Sequence, residues 1–83
     1  MIYEIVANAP VAHFEMANGE EVATHSIYVL AAPMTVNKRS IVKEGYCDCG
    51  CNKKTTIVKM GPTERGYMYM RVFDSDNAMR EAA

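Results

Sequence analysis

The chain has 83 residues, 49% of them apolar and 23% charged, and a net charge of −1 at neutral pH. That length makes one domain, residues 1–83, around a single core, and the apolar share excludes intrinsic disorder. The charge balance lacks the basic excess that nucleic-acid modules usually carry.

A chain of this size buries roughly 60–65% of the surface its unfolded form exposes. Its net stability is expected at about 4–12 kcal/mol. The N-terminus, Met1-Ile2-Tyr3-Glu4-Ile5-Val6, carries a carboxylate where a secretory leader needs Lys or Arg. The longest apolar run, Ile27 to Met34, has eight residues and contains Pro33, whereas a membrane-spanning helix needs about 20. The expectation is a soluble, cytoplasmic protein with no membrane partner.

In chain order, strand signals recur and helical periodicity is weak. Ile2 to Ala7 is a β-branched, aromatic-rich run that stops at the turn sequence Asn8-Ala9-Pro10. Val11 to Ala17 and Glu20 to Ala31 flank Asn18-Gly19, which supplies the two positive-φ residues of a type I′ hairpin turn. In that register Phe14 faces Ala23 and Met16 faces Glu21, with Ile27 and Val29 continuing the Phe14 side. His13, Glu15, Val22, Thr24 and Ser26 lie on the other side, so one face is core and the other wet. Ala32-Pro33 breaks the strand, because proline cannot donate to a ladder.

Val36 to Val42 and the stretch around Tyr46 follow, separated by Lys43-Glu44-Gly45. Thr55 to Met60 and Tyr67 to Phe73 are the next strands, joined through a hairpin loop at residues 61–66. Asp74-Ser75-Asp76 offers capping side chains to a short helix over Asn77 to Ala82, with Met79 as its docking residue. The expected fold is mainly β or α+β. Five to six antiparallel strands form a small sandwich or partly open barrel with a short C-terminal helix.

Charge is unevenly spread. Residues 1–35 hold four carboxylates and no Lys or Arg. Residues 36–60 hold six basic side chains against two acidic ones, and residues 61–83 hold three against four. Folding the segments onto one another would neutralise this asymmetry, since separation in sequence is not separation in space.

Cys47-Asp48-Cys49-Gly50-Cys51 is the one constellation that looks chemical. The odd count and close spacing do not fit a disulfide framework. On a flat strand Cys47 and Cys51 would lie about 13 Å apart. Zinc needs sulfurs within about 4 Å of one another. Gly45 and Gly50 could bend the segment into a knuckle, with His13, His25 or a cysteine of a second copy as the missing ligand. The metal set is then Cys47, Cys49, Cys51 and His25. The poor spacing favours the other reading, in which the thiols pack as small apolar residues and no cofactor is bound. His13 and His25 fall on opposite faces of the hairpin, so a hydrogen-bonded or exposed histidine is the default for each.

Tyr67, Tyr69, Arg71 and Phe73 share one face of their strand, and Met68, Met70 and Val72 share the other. Both faces are apolar or aromatic, so one meets the core and the other needs a cover. With Lys53, Lys54 and Lys59 nearby, Tyr67, Tyr69 and Arg71 are the candidate binding residues. Seven methionines either fill the core or make an adaptable contact surface.

No Gly-rich phosphate loop, nucleophile elbow, zinc-helix motif or dinucleotide fingerprint is present. The expected function is therefore non-enzymatic: a small module that binds a protein partner or itself. Size alone, and no particular residue, extends this expectation to a viral or mobile-element accessory protein that inhibits host machinery by occupying a surface. The alternative is a zinc-stabilised nucleic-acid-binding domain with Lys53, Lys54, Lys59 and Arg71 along a phosphate path. Redox sensing by lysine-flanked thiols is a third option.

Overall fold

A computed structural model describes residues 1–24, 27–46 and 52–82. The chain is mainly β, with two antiparallel sheets and a single short helix. The strands are β1 (Ile2–Ile5), β2 (Pro10–Ala17), β3 (Glu20–Thr24), β4 (Tyr28–Val29), β5 (Met34–Asn37), β6 (Ile41–Tyr46), β7 (Lys54–Pro62), β8 (Tyr67–Phe73) and β9 (Met79–Ala82). One sheet has the order β5-β1-β9; the other runs β3-β2-β8-β7-β6, with β4 also on the β3 side of β2. Neither closes on itself, so the architecture is a partly open sandwich. Among the described residues no helix is long and apolar enough to cross a membrane.

The two sheets enclose one core. From the larger sheet come Val11, Val58, Met70 and Val72; from the smaller come Ile5 and Val36; Ala9, Leu30 and Ala78 close the ends. Strand alternation explains the selection. Val11 pairs with Val72 and His13 with Met70, while Val58 pairs with Met70 from the other side, so one face of β2, β8 and β7 points inward. In the smaller sheet Ile5 lies opposite both Met34 and Met79, which pack against the same core.

The Asn18-Gly19 turn forms as expected, with both residues at positive φ (53° and 82°). Met16 pairs with Glu21 as the turn dictates, but Phe14 pairs with Thr24 rather than Ala23. A bulge between Glu15 and Met16 leaves Val22 without an opposite residue and shifts the register by one. The core side of β2 carries Val11, His13 and Glu15, and Phe14 lies on the other face. The long strand expected over 20–31 is two short ones, β3 and β4, both bordering β2.

The strand expected over 36–42 is also divided. A 3-10 turn at Lys38–Ser40 interrupts it, with the Asn37 side chain accepting a bond from the Arg39 amide at 3.0 Å. β5 thereby joins the smaller sheet and β6 the larger, and the chain crosses between layers at this turn.

The short C-terminal helix is present, but not over the Asn77–Ala82 that the sequence suggests. Helix α1 is one turn, Ser75–Ala78, and Met79–Ala82 is the strand β9. Asp74 precedes α1 in the left-handed region (φ 55°) and its side chain makes no capping bond. A helix of six residues is marginal alone. Pairing with β1 instead satisfies the backbone of both strands, sets Arg80 opposite Glu4 at 3.0 Å, and sends Met79 into the core.

The β7–β8 hairpin closes over Thr63–Gly66, where the Thr63 amide donates to the Gly66 carbonyl at 2.8 Å and Thr63 Oγ1 accepts from the Gly66 amide at 3.1 Å. A Cβ at Gly66 would overlap the Met16 carbonyl and crowd the backbone at Ala17, both on the β2–β3 hairpin. Gly66→Ala is therefore expected to destabilise the protein by about 1–3 kcal/mol, since backbone must move to admit the methyl. Chemical denaturation of the purified variant measures this, and an unchanged midpoint would mean the two hairpin ends do not touch.

Candidate binding face

The face of the larger sheet that turns away from the core is built from three neighbouring strands. β8 places Tyr67, Tyr69, Arg71 and Phe73 there by alternation. Opposite them on β2 stand Met16, Phe14 and Ala12, and on β7 stand Pro62, Lys59, Ile57 and Thr55. The core cluster described above lies on the opposite side; on this face Ala12, Phe14, Thr55 and Phe73 are buried as well, while Tyr67 is exposed.

The face is ordered by its own side chains. Phe14 is only 1% exposed although it lies outside the central cluster. Tyr69 stacks on its ring with centroids 5.5 Å apart and planes at 19°, and Arg71 Cζ lies 4.7 Å from the ring centroid. Stacking of this kind contributes about 0.5–1.5 kcal/mol beyond burial. The Arg71 guanidinium also reaches Glu21 of β3 at 3.7 Å. Lys59 Nζ lies 3.7 Å from the centroid of Tyr67, itself 42% exposed. The result is a continuous patch of fixed aromatic rings bordered by Lys59 and Arg71, a composition typical of energetically dominant interface residues.

Four of the six candidate binding residues, Tyr67, Tyr69, Arg71 and Lys59, thus come together. Lys53 and Lys54 do not join them. Lys53 Nζ sits 3.6 Å from Asp74 and Lys54 Nζ 2.9 Å from Asp76, at the end of β7 that borders α1. The hydrogen bond to Asp76, reinforced by its charge, raises the Lys54 pKa above its usual 10.5.

These pairs show how the uneven charge is balanced. Arg65, Arg71 and Arg80 of the last segment meet Glu15, Glu21 and Glu4 of the acidic first segment. Asp74 and Asp76 of that same last segment meet the middle segment's Lys53 and Lys54. Neutralisation therefore runs through the C-terminal third, which contacts both halves. Each pair is exposed enough to be worth little by itself.

Phe14, Met16, Ile57 and Glu21 belong to this face and were not singled out by sequence. Their membership depends on β2 and β7 flanking β8, a long-range pairing with no local signal. Only spacing from Asn18-Gly19 gave a hint: it set Met16 opposite Glu21, as the structure does, and Phe14 one residue away from its actual partner.

Cys47, Cys49, Cys51 and His25, the expected metal set, lie outside the described residues. Tyr46 and Lys54, on either side of the cysteine segment, are paired across β6 and β7. Among the described residues no group of three or more His, Cys, Asp or Glu side chains is placed to hold a metal ion. His13 Nε2 lies 2.9 Å from the Tyr28 hydroxyl, with the two rings edge to face at 5.4 Å, so this histidine is hydrogen-bonded.

A shallow depression of about 230 Å³ lies between the β1–β2 turn and α1, lined by residues including Asn8, Asp74 and Asn77. Its one ionisable lining side chain is Asp74, already beside Lys53. The lining therefore offers no nucleophile–base or acid–base pair. Neither protein-family models, curated proteins nor solved structures yielded a match to this chain.

Proposed function

We propose that the chain is a non-enzymatic binding module that docks a protein partner on the outer face of its larger sheet and acts by occupying the partner's surface. The observation that carries this reading is the patch of Tyr67, Tyr69 and Arg71 on the outer face, with Tyr69 and Arg71 packed over the buried Phe14 ring and Lys59 over Tyr67. Rigid aromatic anchors lose little conformational entropy on binding, which favours affinity. Lys59 beside Tyr67, with exposed Lys43 on β6 beyond, favours a partner whose apolar residues are flanked by carboxylates.

The nucleic-acid reading is the weaker one because its parts are already engaged. Phe14 is covered, a lysine lies over Tyr67, and Lys53, Lys54 and Arg71 each have a carboxylate partner. Base stacking needs free ring faces, and a phosphate path needs uncommitted cations.

Selection of binding peptides from a random displayed library tests the proposal. The expected ligands carry acidic residues around an apolar one and lose about tenfold or more in affinity against Tyr67→Ala or Arg71→Ala. Ligands that bind both variants as well as the native chain would sink the docking face. Salt-sensitive binding of single-stranded RNA or DNA, lost in Tyr67→Ala, would replace the protein partner with a nucleic acid.

A further inference from the structure

We infer that the β4 edge of the larger sheet is a self-association surface, on which a second copy of this chain pairs antiparallel about a twofold axis at Val29. Residues 22–37 contain no Asp, Glu, Lys or Arg. Within that run Ile27, Tyr28 and Val29 are 63%, 40% and 57% exposed, and Ala31 and Ala32 are exposed as well. Natural sheet edges are normally blunted by charge, and this one carries none.

The backbone is presented for pairing. Leu30 spends both of its groups on the turn between β1 and β2: its amide donates to Ala9 at 3.1 Å and its carbonyl accepts from Asn8 at 2.8 Å. By strand alternation the amide and carbonyl of Val29 point the other way, out of the sheet. Among the described residues no strand pairs with β4 on that side.

Symmetry then selects this edge over the others for a second copy. In a twofold antiparallel pair, neighbouring residue pairs alternate between hydrogen-bonded and non-bonded types. The axis must therefore pass through one residue facing its own counterpart. At β9 that residue would be Arg80 or Glu81, and at the centre of β6 it would be Lys43 or Glu44, setting like charges together. β6 is also bulged next to Val42 and begins at a 3-10 turn. β3 carries Glu20 and Glu21, and β5 is short and flanked by Pro33, which has no amide to donate, and by Lys38 and Arg39 of the 3-10 turn.

An axis at Val29 sets no charges together and meets no bulge, and the ladder it makes is short, because β4 is two residues long and the chain bends at Ala31–Ala32. The axis sets Val29 against Val29, Ile27 against Ala31 and Tyr28 against Leu30, all apolar. The two larger sheets become continuous across the axis, with main-chain hydrogen bonds supplying affinity. The aromatic face is left free on both copies, so this inference does not rest on the docking proposal.

Sedimentation of the full chain over a range of concentrations tests it. The native protein is expected to pass from monomer to dimer, and Val29→Lys is expected to raise the dissociation constant about tenfold or more by opposing two ammonium groups. Val29→Glu should do the same. Because residue 29 faces itself, an equimolar mixture of the Lys and Glu variants should recover dimer that neither forms alone. Tyr67→Ala should dimerise like the native chain. A native protein that stays monomeric at several hundred micromolar, a dimer indifferent to Val29→Lys, or a mixture without recovery would each overturn the inference. Thermal melting of both Val29 variants, whose side chains replace an exposed one, checks that they are folded.

Discussion

Phe14→Ala is expected to lower the unfolding free energy by about 3–5 kcal/mol, the range for deleting a buried aromatic ring. The ring is closed off by Tyr69 and Arg71, so truncation removes its own burial, the Tyr69 stack and the Arg71 contact together. Against a total of about 4–12 kcal/mol, that loss leaves a large unfolded fraction or a protein that melts near ambient temperature. Phe14→Leu keeps most of the volume and should cost less than about 1.5 kcal/mol. Urea denaturation of both variants measures the difference. A Phe14→Ala midpoint within experimental error of the native one would mean the ring is solvated, and the outer face would then be a loose collection of side chains rather than a fixed platform.

Deleting residues 79–83 should be nearly as damaging, at about 4 kcal/mol from a lost four-residue ladder and the packing of Met79. Without β9 the smaller sheet is reduced to β5 and β1, and a two-stranded ribbon is marginal in water. The core face of Ile5 would also lose the neighbour that lies opposite it. Heat denaturation followed by circular dichroism is a direct measurement. A terminal helix, frayed and docked by one methionine, would be lost with a change of about 1 kcal/mol or less. A small effect would therefore favour the helix over the strand.

The two results bear on different parts of the binding proposal. The outer face depends on Phe14 as its floor, whereas β9 only holds the smaller sheet that backs the core. A variant lacking ligand affinity but keeping full stability, such as Tyr67→Ala, separates recognition from folding because Tyr67 is half open to solvent.

The turn at Asn18-Gly19, the hairpin between β7 and β8, and the two-sided character of β8 are legible in the sequence because each rests on local chemistry. Positive φ, proline's missing donor and a period of two act within a few residues. The mainly β class follows from the same signals repeated along the chain. The stripe of Tyr67, Tyr69 and Arg71 was therefore visible as a stripe, although which of its two sides faced outward was not.

Tertiary structure decided the rest. Residues 77–82 read locally as a capped helix, but β1 offered an unpaired edge, and a ladder satisfies more backbone groups than one helical turn. Lys53 and Lys54 looked like neighbours of Lys59 on a basic path; α1 placed Asp74 and Asp76 beside them and took both away. Phe14 looked like core and is buried, yet on the opposite side of the sheet, because β8 lies beside β2 and supplies Tyr69 and Arg71 to cover it. Local rules set turns and alternation, because they act through steric limits on neighbouring residues. Which strands lie side by side, and so which side chains share a face, is fixed only when distant segments compete for the same edges and the same apolar surface.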